Sequence, residues 1–137
     1  MKQSFLAALT VLLTLSFVGC KDKEKDLDIT TGTKWEQEVK EYPFLGNFPS
    51  YDYDYQGVYQ KVVGVETYMV VDRNAEEKRY TGYISKLEKA GFEFDREIAE
   101  KAVNYTKTTD AGETLEVYLN YMSNHLSINF SLKPTDW

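Results

Sequence analysis

ETLEVYLNYMSNHLSINFSL, residues 113–132, decides the fold. Leu115, Val117, Leu119 and Tyr121 occupy every second position. After a short SNH turn, Leu126, Ile128, Phe130 and Leu132 alternate with Ser127, Asn129 and Ser131. A period of two sends these side chains to opposite faces of a strand, so the pattern predicts an antiparallel hairpin with one apolar and one wet side. VNYTKT (103–108) leads into it through TDAG, which predicts a third strand and completes a meander.

The period changes upstream. In NAEEKRYTGYISKLEKAGFE (74–93), Tyr80, Tyr83, Ile84 and Leu87 recur at helical spacing and form one stripe. Asn74 is placed to cap the N-terminus, with Glu77 completing a capping box. Glu76 and Glu77 suit the positive end of the helix dipole, and Lys86 and Lys89 the negative end. Gly91 can take the left-handed conformation that ends a helix, bringing Phe92 onto Leu87. A helix over 75–90 follows.

Toward the N-terminus, residues 51–71 are β-prone, with Gly57 and Gly64 marking bulges or turns and VETYMVVD (65–72) a strand. TKWEQEVKEYPF (33–44) predicts a short helix with Trp35, Val39 and Tyr42 on one face, stopped by Pro43. DREIAEKA (95–102) reads as a second short helix. The order is therefore β-β-α-(α)-β-β-β: an α+β domain of two layers, with an antiparallel sheet of about five strands and one main helix on its apolar face. The segments YTGYISKLEKAGFE and NYTKTTDAGETLEVYLNYMSNHLSINFSL resemble a small module of bacterial (Bacteroidota-type) envelope lipoproteins over roughly residues 65–132. That family has no established activity, so the resemblance assigns no catalytic residue.

MKQSFLAALTVLLTLSFVGC (1–20) is an address rather than a structural element. Lys2 precedes an apolar run from Phe5 to Val18 that spans about 21 Å as a helix, short of the ~30 Å hydrocarbon core. Its length fits a signal peptide. FVGC resembles the bacterial lipobox, with Phe17 in place of the usual leucine. The resemblance implies cleavage after residue 19 and acylation of Cys20. Several acyl chains anchor stably where one is marginal. KDKEKDLDITTGT (21–33) alternates in charge and cannot build a core, so residues 20–34 read as a polar tether with a mean reach of roughly 20 Å. Its Lys-acid start also resembles a surface-export signal. The envelope location thus points to the outer membrane, on its periplasmic face or at the cell surface, with residues 35–137 as the single folded domain.

The 137-residue chain carries a formal charge of −6 and has no basic block, which argues against nucleic-acid binding. One cysteine and one histidine, His125, exclude an internal disulfide and leave no Cys/His zinc site. No metal site is read from the sequence. The absence of a glycine-rich phosphate loop argues against a nucleotide cofactor, and no cofactor is expected.

YDYDYQGVY (51–59) holds the candidate site. As a calcium loop it fails: Asp52, Asp54, Gln56 and Gly57 fit the first positions, but Val63 stands where a bidentate Glu is required. As a strand it places Tyr51, Tyr53, Tyr55 and Tyr59 on one parity, interrupted by Gly57, and Asp52 and Asp54 on the other. Such a tyrosine ladder beside carboxylates can face a glycan, peptide or partner protein, or it can pack into the core with only its hydroxyls wet. Asp52 and Asp54, about 6.6–6.8 Å apart along a strand, also approach the spacing of glycosidase acids. His125 near Ser123 and Ser127 lacks a nucleophile-elbow context and reads as a turn residue. The sequons NYT and NFS lie on predicted strands and are coincidental. The sequence therefore points to a lipid-anchored, non-catalytic binding module. A small hydrolase using the paired carboxylates and a structural subunit of an envelope assembly stand as alternatives.

Overall fold

The computed structural model describes residues 29–30 and 34–135. The leader (1–19), Cys20 and the tether other than Ile29, Thr30 and Lys34 lie outside the described residues. Along the chain come β1 (Ile29–Thr30), α1 (Lys34–Glu41), a 3-10 turn (Pro43–Asn47), β2 (Tyr55–Val62), β3 (Val65–Asp72), α2 (Glu77–Lys89), β4 (Glu93–Ala99), β5 (Ala102–Thr108), β6 (Thr114–Met122) and β7 (His125–Lys133).

Six antiparallel strands and two helices make a mixed α+β fold, and the two-residue β1 extends one edge of the sheet. The strand order is β1-β2-β3-β7-β6-β5-β4. Helix α2 lies between β3 and the far edge strand β4 in the chain. From β4 the chain meanders back until β7 closes against β3. From β5 to β7 the register runs without a shift, so the period-two pattern sorts cleanly there. Tyr59, Tyr68, Phe130, Val117, Tyr105 and Phe94 form one cross-strand row. Gly57, Val70, Ile128, Leu119 and Val103 form the next.

Apart from exposed Phe94 and half-buried Tyr59, those rows, under the helices, are the core. Val70, Val117, Leu119, Ile128 and Phe130 are wholly buried. From α1, Trp35 sets its ring edgewise on Phe130 at 5.2 Å, and Phe48, just beyond the 3-10 turn, meets Phe130 at 5.0 Å. From α2 come Tyr80, Tyr83 and Leu87. The opposite face presents Ser127, Asn129 and Ser131, all partly exposed, as the alternation predicts.

The C-terminal end of α2 forms as its sequence predicts. Gly91 has φ +94°, its N–H donates to the Glu88 carbonyl at 3.1 Å, and the Phe92 N–H reaches back to Leu87 at 3.0 Å. This is a Schellman ending, and Phe92 and Leu87 are both buried beneath it. Lys107 adds a donor to the Ala90 carbonyl at 2.7 Å.

Four expectations need correction. The helix starts later than residue 75: Glu76 is the N-cap and makes no side-chain cap bond. Asn74 instead donates its N–H to Asp72 Oδ1, and Ala75 donates to the Asn124 carbonyl, so the residues after β3 are committed to a turn. Residues 95–102 are not a helix. Glu93–Ala99 pairs with β5 through two register shifts, and the strand is exposed along its whole length. Those shifts break the period of two, leaving only helix-favouring composition in view. The sheet consequently exceeds the expected five strands. Finally, the short helix expected over 33–44 forms as α1 and packs on the sheet, so the main helix is not alone there; Trp35 is buried and Val39 and Tyr42 pack against the core as their spacing predicts.

Candidate functional site

The tyrosine-rich stretch divides where β2 begins. Residues 51–54 form a loop, and the strand starts at Tyr55. Tyr51 and Tyr55 are buried, at 1% and 2% exposure. Tyr59 is half-buried, stacks flat on Tyr42 at 4.2 Å and donates its hydroxyl to Glu66. Three members of the expected ladder are thus wholly or partly packed, and only Tyr53, at 43% exposure, remains open. The interruption at Gly57 is steric: a Cβ there would overlap the Tyr68 hydroxyl and lie 2.5 Å from its Cζ. Gly57 keeps regular register with Val70 and is neither a bulge nor a turn.

Burial governs the chemistry of these phenols. Desolvation raises the pKa of Tyr55 to about 12. It also raises Tyr51, Tyr68 and Tyr83, with hydrogen bonds to Asp72 for Tyr51 and to Tyr55 and Glu38 for Tyr68 adding to the effect. All four are neutral, packed phenols at physiological pH. The Tyr83 hydroxyl closes onto the Pro49 carbonyl and ties α2 to the segment before the loop.

Around Tyr53 lies a polar network. Asp72, on the core-facing parity of β3 with Tyr68 and Val70, is 3% exposed. It accepts from the Tyr51 hydroxyl and from Arg79 Nη1 at 2.9 Å, as well as from the Asn74 N–H at 3.1 Å. A buried carboxylate is tolerated only with this degree of satisfaction. Partial burial opposes the charge on Arg79, but the bond and attraction to Asp72 prevail and raise its pKa. The same guanidinium lies 4.2 Å over the Tyr53 ring, whose other contact is an edge from Tyr51 at 5.3 Å.

Lys86 fastens the other side of the loop, donating to the Ser50 carbonyl at 2.6 Å and to Asp52 Oδ2 at 3.0 Å. Burial would raise the Asp52 pKa, but the bonds from Lys86 and Ser50 outweigh it and hold the carboxyl below its ordinary value. Asp52 is thereby an ion-pair partner, the opposite of the raised-pKa acid a glycosidase requires. Asp54 stays exposed.

Between the loop and α2 opens a cleft of about 250 Å³, lined by the loop residues 50–53 and by Lys78, Arg79, Gly82, Tyr83 and Lys86. A neighbouring hollow of about 330 Å³ is lined by Asp52, Tyr53, Asp54, Asp72, Asn74 and Arg79. Asp52, Tyr53 and Arg79 belong to both.

Arg79, Lys86 and Asp72 escaped the sequence reading, although a signal for them exists. Asp72 shares its strand parity with buried residues, which demands a cation partner. Arg79 and Lys86 flank Tyr83 at helical spacing and can supply one. His125 is exposed as expected but belongs to β7, whose first residue it is; the turn is Ser123–Asn124, and His125 Nδ1 lies 2.9 Å from the Ser123 carbonyl. Among the described residues no three His, Cys, Asp or Glu side chains come together to hold a metal. No helix among them is long and apolar enough to cross a membrane. Comparison with protein-family models, curated proteins and solved structures finds no match to this chain.

Proposed function

We propose that the protein is a lipid-anchored module of the bacterial cell envelope that binds a ligand without chemical turnover. Glycans, peptides and neighbouring proteins are the candidate classes. Cys20 in FVGC supports the anchor, and the polar run after it supports a body held off the membrane. The observation that carries the binding role is Tyr53. Of the four clustered tyrosines it alone stays open, fixed by Arg79 and Tyr51 at the shared wall of two clefts, where a ligand meets a preorganised aromatic surface. The carboxylates Asp52 and Asp54 stand beside it as hydrogen-bond acceptors.

The proposal has two arms. Cys20→Ala in the native host should abolish incorporation of labelled palmitate and leave an unprocessed precursor. Unchanged maturation of that variant would refute the anchor. Full-length protein in detergent micelles, tested on saccharide and peptide arrays, should give hits that Tyr53→Ala removes while its melting temperature stays close to that of the parent. Hits indifferent to Tyr53 would move the binding surface elsewhere.

A further inference from the structure

Gly82 has no packing explanation. It sits mid-way along α2, where glycine is the poorest helix former after proline. Yet among the described residues a Cβ built there would meet no heavy atom within 4 Å, and none of them requires the missing side chain. What a bare helix backbone offers is close approach by something outside the fold, and Gly82 lines the cleft beside Tyr53.

The charge around Gly82 is distinctive too. Lys78, Gly82 and Lys86 follow at i, i+4 and i+8 on one stripe, the two ammonium-bearing residues about 12 Å apart along the axis. With Arg79, three cations line the cleft against one carboxylate, Asp52, in a chain whose formal charge is −6. Asp72 and Asp52 engage Arg79 and Lys86. Among the described residues Lys78 pairs only with Glu76, at 3.4 Å, with side chains 77% and 69% exposed. Water screens such a pair, and a ligand anion can replace Glu76.

The shape of the cleft narrows the class of anion. A helix flank has its N–H groups committed to intrahelical bonds, so the wall at Gly82 offers Cα–H surface rather than the amide cradle that suits phosphate. One wall is C–H, one is a phenol ring, and the exposed ammonium of Lys78 stands at the end. Resting on the binding role given above to the Tyr53 surface, we infer that the cleft is a subsite for one acidic sugar ring, a hexuronate or similar carboxylate-bearing saccharide unit. The ring lies against Gly82 and Tyr53, and its carboxylate pairs with Lys78.

The test uses full-length protein in detergent micelles, titrated by calorimetry with hexuronate oligosaccharides and with the same oligosaccharides after reduction of each carboxylate to a hydroxymethyl group. The acidic form should bind at least about tenfold more tightly, with affinity falling as salt rises. Lys78→Gln should erase that preference. Gly82→Met should abolish binding while the melting temperature holds or rises, since methionine is a good helix former. Equal affinity for acidic and reduced forms overturns the acidic subsite but leaves saccharide binding standing. Binding of neither form to the folded protein overturns both. Full affinity in Gly82→Met, or an unchanged preference in Lys78→Gln, places any acidic ligand elsewhere and overturns the inference.

Discussion

Replacing Gly57 with alanine tests the core at its tightest point. The added methyl would overlap the Tyr68 hydroxyl and stand 2.5 Å from Cζ and 3.2 Å from Tyr55 Cε2. Carbon atoms prefer a separation of about 3.5–4.0 Å, so the Tyr68 ring must retreat by about 1 Å. It has nowhere to go, being 1% exposed with Trp35 edgewise at 6.4 Å and Tyr42 at 5.9 Å. Retreat also strains the hydroxyl's 2.7 Å bond to Glu38, which links β3 to α1. Overpacking costs about 1–3 kcal/mol and loss of a hydrogen bond to a carboxylate about 1.5–3 kcal/mol. Stiffening the unfolded chain returns about 0.4–1 kcal/mol. The net destabilisation is about 1.5–5.5 kcal/mol, readable as a lower urea midpoint at unchanged slope and a melting temperature lower by at least about 6 °C. Adding Tyr68→Phe, which removes the worst overlap, should recover part of the loss, whereas Tyr68→Phe alone destabilises. A Gly57→Ala protein within about 0.5 kcal/mol of the parent would refute the steric account of this glycine.

Arg79→Ala leaves buried Asp72 with only Tyr51 and the Asn74 N–H, and should cost about 2–3 kcal/mol in urea unfolding. Arg79→Lys should restore only part of it, because an ammonium cannot both bind the carboxylate and lie flat on Tyr53. Alkaline pH supplies a further measurement. Tyr55 titrates at about 12 in the folded chain against an ordinary 10.0, so its contribution to stability is complete below pH 10 and is lost as pH rises toward 12. That contribution is about 3 kcal/mol, and the raised Tyr51, Tyr68 and Tyr83 act in the same direction. Phenolate absorbance should therefore appear in two stages, the exposed tyrosines first and the buried ones together with unfolding. Ionisation of all eleven tyrosines near pH 10 with the fold intact would contradict this burial.

Local patterns were legible wherever one physical rule acted alone. Leu115 to Leu132 alternate because a single sheet face is buried, and Gly91 with Phe92 ends α2 because the required geometry admits few residues. β4 was illegible because its two register shifts leave Phe94 and Ile98 exposed at 56% and 53%, erasing the inside–outside contrast that period counting needs. Asn74 failed as a cap because the helix begins at Glu77 with Glu76 at the N-cap, after a turn that Asn74 makes with Asp72. The candidate site was half visible. Tyr53 and Asp52 were found through their own cluster, but the cleft is made by residues some thirty positions away, and Lys86 meets Asp52 only once β3 and α2 have folded back. The Tyr51–Asp72 contact is likewise long-range, so composition revealed the tyrosines without revealing which of them would be covered.

The pairing of β1 carries a spatial consequence. Ile29 and Thr30 align with Gln56 and Tyr55, at the very start of β2, so the chain enters the body two or three residues from Tyr53. Ile29 is only nine residues on from Cys20, a leash that cannot exceed about 32 Å fully drawn out. With fatty acids on that thiol, the mouth of the cleft would sit nearer the bilayer than a tether ending at α1 allows. Its prey would then be whatever grazes the lipid surface, such as glycan stalks rooted in the same leaflet, while bulk polymer diffusing farther out would pass beyond its grasp.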